Sequence, residues 1–139
     1  MRNFIEAKVK CHKQMEDGEY KEVCDSYLVK ALSFTEAEAR VIEAVQPYIS
    51  GNFSVSAVTK SNISEIIFDE SGDFWYKVKA NMITINEKTN SEKLTAIYYL
   101  VQAGSFKKAY DNFNQAMKGT VSDYTVSSIV ETKILDVIE

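Results

Sequence analysis

The sequence predicts an α+β fold: a tandem, pseudo-twofold repeat of a strand-strand-helix-strand unit, closed into one compact domain with an antiparallel sheet. Three observations carry that expectation. First, Tyr27-Leu28-Val29-Lys30-Ala31-Leu32-Ser33-Phe34-Thr35-Glu36-Ala37 recurs as Tyr99-Leu100-Val101-Gln102-Ala103-Gly104-Ser105-Phe106-Lys107-Lys108-Ala109, with seven of eleven positions identical. Such self-similarity is the mark of a repeat architecture. Second, the flanks are echoed, Lys8-Val9-Lys10 by Lys77-Val78-Lys79 and Phe53-x-Val55-Ser56-x-Val58 by Tyr124-x-Val126-Ser127-x-Ile129. Third, each half passes from a period-two pattern to a helical stripe and back. The expected organisation is one domain over residues 1–139, with repeat units 4–68 and 74–138. Units that small bury too little surface alone, so they are expected to share a sheet or to pack face to face.

In chain order, Ile5, Ala7, Val9 and Cys11 alternate with Glu6, Lys8, Lys10 and His12, the pattern of a strand with one covered face. Asp17-Gly18 reads as a two-residue hairpin turn, which would set Lys10 opposite Asp25, Lys13 opposite Glu22 and Cys11 opposite Cys24. The return strand runs from Val23 to Ala31. Ser33-Phe34-Thr35-Glu36 matches a capping box, with the serine hydroxyl taking a free amide and the glutamate reaching back to the serine amide. The helix it opens carries Phe34, Ala37, Val41, Ala44 and Val45 as an apolar stripe, and Pro47 with Gly51 ends it. Phe53 to Val58 is a strand whose alternation slips at Ala57-Val58, suggesting a bulge there. The apolar residues Ile63, Ile66, Ile67 and Phe68 complete the first unit with a period that fits strand or helix.

The acidic stretch Asp69-Glu70-Ser71-Gly72-Asp73 reads as the join between copies. The plan then restarts with a strand from Trp75 to Ile85, a loop from Asn86 to Lys93, and a strand from Leu94 to Ala103 that looks covered on both faces. Ser105 caps a helix with the stripe Phe106, Ala109, Tyr110, Phe113 and Met117, and Gly119 suits its C-terminal end. Tyr124 to Val130 is a further strand, followed by Ile134 to Ile138.

Apolar residues at 45% and charged residues at 26% are ordinary globular usage. The net charge of -4 gives no global attraction to polyanions, so a polyanion site must be a local patch. Met1 to Lys10 lacks an apolar run of signal-peptide length and no membrane span is in view, which places the expected location in the cytosol. Cys11 and Cys24 form no Cys-x-x-Cys and read as small buried hydrophobes. His12 has no Ser, Cys or second His beside it, and the carboxylates of Glu36, Glu38, Glu43, Asp69, Glu70 and Asp73 are explained by helix and linker solvation. The five glycines are scattered at turns and make no phosphate loop. The expectation is therefore no catalytic residue, no metal, no cofactor and no enzyme.

One constellation invites a function. Lys8, Lys10 and Lys13 in one half, and Lys77 and Lys79 in the other, stand near His12, Tyr20, Tyr27, Trp75, Tyr76 and Tyr98. Lysines that track phosphates, interleaved with rings on which bases stack, are how single strands are held without sequence preference. The candidate nucleic-acid-binding set is Lys8, Lys10, Lys13, Tyr27, Trp75, Tyr76, Lys77, Lys79 and Tyr98.

The strings Tyr27-Leu28-Val29-x-Ala31-Leu32-Ser33-Phe34-Thr35-Glu36-Ala37-Glu38-Ala39-Arg40, Pro47-Tyr48-Ile49-Ser50-Gly51, Trp75-Tyr76-Lys77-Val78-Lys79, Met117-Lys118-Gly119-Thr120 and Ser122-Asp123-Tyr124 span nearly the whole chain. They resemble an uncharacterised family of short proteins from Bacteroides-type bacteria and their tailed, crAss-like phages, domain-of-unknown-function family 4494. That resemblance implies a place among phage replication genes and binding of single-stranded DNA. The chain departs from bacterial single-strand binders in ending Ile134-Leu135-Asp136-Val137-Ile138-Glu139, without a long acidic tail for recruiting partners. The expected function is non-enzymatic binding of single-stranded nucleic acid. The alternative is a small interaction protein, an inhibitor or ligand sponge, working through a groove between the repeats, with a protein partner or a homodimer and no membrane.

Overall fold

Alternation of apolar and polar residues builds the strands here as the period-two rule requires, and the elements follow one another as β1 (Phe4–Gln14), β2 (Tyr20–Lys30), α1 (Phe34–Val45), β3 (Phe53–Lys60), β4 (Ile63–Ile67), β5 (Phe74–Asn86), β6 (Ser91–Ala103), α2 (Phe106–Ala116), β7 (Asp123–Glu131) and β8 (Ile134–Ile138). The structure is a computed structural model and describes residues 3–120 and 123–139. Met1 and Arg2 of the N-terminal stretch, and Ser122 of the last family string, lie outside the described residues. The class is α+β, with two four-stranded, mainly antiparallel sheets in the orders β3-β1-β2-β8 and β4-β6-β5-β7. A shared sheet is not formed.

The chain divides into two units, one of Met1–Asn62 with Lys133–Glu139 and the other of Ile63–Thr132. Two strands therefore fall outside the halves that the repeat boundaries suggest. β4 follows β3 in the chain but lies parallel to β6, and β8 follows β7 but lies parallel to β2. Each half instead takes its parallel edge strand from the other.

In the first unit Ile5, Ala7 and Val9 face the helix and pack with Tyr27, Val29 and Ala31 of β2 against Ala37, Val41 and Val45 of α1. The β1–β2 register differs by one residue from the expected one, pairing Lys10 with Cys24, Cys11 with Val23 and His12 with Glu22. The turn decides this. The Met15 N–H donates to the Glu19 carbonyl, the Gly18 N–H donates to the Met15 carbonyl, and Gly18 sits at φ 85, which makes a three-residue loop of Glu16-Asp17-Gly18. The glycine serves the left-handed position of that loop, not the second place of a two-residue turn. As a result the ion pairs exchange partners, Lys10 with Glu22 at 3.6 Å and Lys13 with Asp25 at 2.9 Å. Cys24 is exposed, contrary to expectation, while Cys11 is buried.

Ser33 caps α1, its hydroxyl accepting the Glu36 N–H at 3.1 Å, and the Glu36 carboxylate accepts from the Leu32 N–H at 3.0 Å, one residue before the expected serine amide. Phe34, placed in the core stripe by its spacing, is 54% exposed. Side chains of a helix lean towards its N-terminus, so a ring at the first helical position overhangs the end and misses the sheet. Phe106 is equally exposed, although its ring meets that of Tyr76 in β5, and Tyr110 is also exposed. The bulge falls at Ser56, one residue before the expected site: Lys8 pairs with Ala57 and Val9 with Val55, and the Ser56 hydroxyl donates to the Lys8 carbonyl.

The second unit packs Tyr76, Val78 and Ala80 of β5 with Tyr99, Val101 and Ala103 of β6 against Ala109, Phe113 and Met117. Its bulge matches the first, with Lys79 paired to Ser128 and Ala80 to Val126. The Asp69–Asp73 join is held by the sheet and helix: Gln102 Oε1 accepts the Asp69 N–H, Gln102 Nε2 donates to the Gly72 carbonyl, and Asn112 Nδ2 donates to the Asp69 carboxylate. Hydrogen bonds from Ser71 first, and from Asn112, hold the Asp69 carboxyl below its ordinary range. A Cβ on Gly72 would fall on the Ala103 backbone, whereas one on Gly18, Gly51 or Gly119 would meet nothing. Gly72→Ala is expected to cost about 1–3 kcal/mol, the usual penalty for overpacking. A urea denaturation midpoint unchanged from the parent would show that this backbone contact does not constrain the join.

Candidate nucleic-acid interface

Which face of a strand a lysine occupies follows from the alternation, since the apolar residues of β1 and β5 must meet the helix. Lys8, Lys10 and His12 accordingly stand on the helix-free face of the first sheet, and Lys77 and Lys79 on that of the second. The two Lys-Val-Lys strings are not equivalent in register. Ile5 and Tyr76 pair with Val29 and Val101 at the same place in the repeat, so Lys8 corresponds to Lys79, Lys10 to Asn81 and Lys77 to Glu6. Lys8 and Lys79 thus sit at the same point, directly beside the bulge.

In the second unit a local cluster forms. Lys79 lies directly opposite Tyr98, and the Lys77 ammonium sits over the Tyr98 ring, 4.7 Å from its centroid. Attraction between a cation and the ring quadrupole holds such a pair. The first unit has Ser26 where the second has Tyr98, so no ring lies opposite Lys8 in the ladder. Among the described residues Lys8 and Lys79 make no ion pair, whereas Lys10 is engaged by Glu22 and Lys13 by Asp25. The hydrogen bond to Asp25 pushes the Lys13 ammonium up from its ordinary value. His12 stands 3.9 Å from Glu22, in solvent.

The other rings of the candidate set are placed elsewhere. Tyr27 and Tyr76 are buried on the helix side, and burial pushes both phenols up. Trp75 is on the helix-free face but also buried, edge-on to Phe68 at 5.8 Å. Little of any of these three rings is left to stack on a base, although Tyr27 still borders a cavity that Lys13 also lines. Tyr20, near the first hairpin tip, is exposed. Leu28 and Leu100, pointing to the helix-free faces, are wholly enclosed, so β2 and β6 have no solvent side at these two positions. The sequence reading missed the exposed rings Phe34, Tyr48, Phe74, Phe106 and Tyr110. Placement of Phe34 and Phe106 immediately after a capping serine was the signal that could have found two of them.

Among the described residues no three His, Cys, Asp or Glu side chains are grouped to hold a metal ion, and no helix is long and apolar enough to cross a membrane. No curated protein and no solved structure matches the chain. The pattern of one family matches residues 3–139, almost the entire length, and the chain therefore belongs to the family described as Domain of unknown function (DUF4494).

Proposed function

We propose that this protein binds single-stranded nucleic acid without catalysis, as part of a phage replication or recombination system. The observation that supports the reading is the Lys77–Tyr98–Lys79 cluster, one ammonium over an aromatic ring and a second lysine opposite that ring's residue in the ladder, on one sheet face. Lys8, at the position equivalent to Lys79, provides a second cation with no acidic partner. Phosphates are the ligand that such groups attract, and attraction of this kind operates even though the whole chain is acidic, because screening confines it to about 8–10 Å at physiological salt. Ring contact adds a sequence-tolerant component.

A labelled single-stranded oligonucleotide titrated at two salt concentrations tests the reading. Binding is expected to weaken steeply as salt rises, with a slope of about -0.7 per phosphate contact in the logarithmic plot. Lys8→Glu with Lys79→Glu should flatten that slope and weaken binding about tenfold or more at low salt. Absence of binding at low salt would overturn the proposal and leave the protein-interaction reading in its place.

A further inference from the structure

The repeat itself points to a ligand pocket in the first unit. A cavity of about 390 Å³ opens beside the start of α1, lined by Asn3, Ile5, Leu32, Phe34 and Lys60 among others. That volume is within the range of pockets that hold small ligands. The second unit shows the same place with a ring in it. Tyr76 takes the position of Ile5, since each pairs with the equivalent valine of the neighbouring strand. Phe106 takes the position of Phe34, each being the first residue after a capping serine. The rings of Tyr76 and Phe106 lie 4.8 Å apart, centroid to centroid. In the first unit the smaller Ile5 leaves Phe34 without that ring, beside the cavity, although Phe34 and Phe106 are exposed alike. The space left by the missing ring has the shape and the neighbour for an aromatic group supplied from outside.

Charge selects among aromatic ligands. Lys60 pairs across the sheet with Ile5, whereas its counterpart Glu131 pairs with Tyr76. At this rim position the second unit therefore carries an acid and the first a cation, the single charged residue of the cavity lining among the described residues. Asn3, also in the lining, brings an amide able both to donate and to accept. The geometry points to a subsite for one nucleotide of a single strand: the base stacks on Phe34 in the place that Tyr76 fills in the other unit, Asn3 meets the base edge, and Lys60 meets the phosphate. This subsite rests on the nucleic-acid reading and extends it from a charged face to a base-holding pocket. It lies apart in the sequence from the Lys77–Tyr98–Lys79 cluster and has its own determinants.

The test compares a single-stranded oligonucleotide of about fifteen nucleotides with an abasic oligonucleotide of the same length, on the intact protein and on Ile5→Tyr, Phe34→Ala and Lys60→Glu. Stacking of one base should make the base-bearing strand bind about tenfold more tightly than the abasic one. Ile5→Tyr, which installs the residue of the second unit, should reduce that difference. Phe34→Ala, at a ring already exposed, should do the same without threatening the fold. Lys60→Glu should weaken both strands. Equal binding of base-bearing and abasic strands by the parent protein, or an undiminished difference in Phe34→Ala, would overturn the subsite while leaving the charged-face reading in place. Failure of every oligonucleotide to bind at low salt would overturn both.

Discussion

Phe113→Ala is expected to cost about 3–5 kcal/mol, a large share of the roughly 5–15 kcal/mol that holds a domain folded. Phe113 has no solvent exposure and sits under two rings, Tyr99 at 5.1 Å and Tyr124 at 5.6 Å, both edge-on. Truncation removes the transfer free energy of the ring, leaves a cavity, and breaks two aromatic contacts worth about 0.5–1.5 kcal/mol each beyond their burial. The tyrosines cannot follow the retreating side chain, because Tyr99 is fixed in the β5–β6 ladder and the Tyr124 hydroxyl donates to Asn114 at 2.9 Å. In thermal denaturation the midpoint should fall by roughly 10–20 °C. Phe113→Leu, which keeps more of the volume but loses both ring contacts, should cost about 1–3 kcal/mol, less than the alanine variant. A loss below 1 kcal/mol for the alanine variant, with the denaturant slope unchanged, would mean that the site collapses freely and that this ring does not anchor the second core.

The second large effect is expected from Leu28→Ala, at about 3–4 kcal/mol. Alternation alone puts Leu28 on the same face as Ser26 and Lys30, where an exposed leucine could be truncated at little cost. In the structure it is wholly enclosed, between Glu6 of β1 and Val137 of β8 in the ladder. Lys30→Ala, two residues further along the same face and exposed, serves as the control and should change stability by no more than about 0.5 kcal/mol. Similar urea midpoints for the two variants would contradict the burial seen at Leu28.

Element type was legible because it depends on local chemistry. Ser33 and Ser105 announce helices by supplying an acceptor for a free amide, and the hydroxyl does so in both cases, to Glu36 and Lys108. The helix-facing residues of β1 and β5 were readable from a period of two. Gly18 was read as a turn residue but assigned to the wrong turn, and a one-residue difference in loop length was enough to move every cross-strand partner of Lys10 and Lys13. The site was less legible than the fold. Lysines could be placed on a face, but whether Tyr27, Trp75 and Tyr76 were platforms or core depended on what covers them, and composition does not encode cover.

Helix positions, caps and the likeness of the two halves were determined by the sequence, since each rests on a few neighbouring residues, whereas the eight strands exceed the three per half that a strand-strand-helix-strand unit provides. Only the tertiary structure decided that β4 and β8 change sheets, that the helix-free sides of Leu28 and Leu100 are closed, and that Ile5 leaves open the space Tyr76 fills. A strand offers the same backbone donors and acceptors to any neighbour, so its partner is chosen by the packing of the whole chain and by no residue within it.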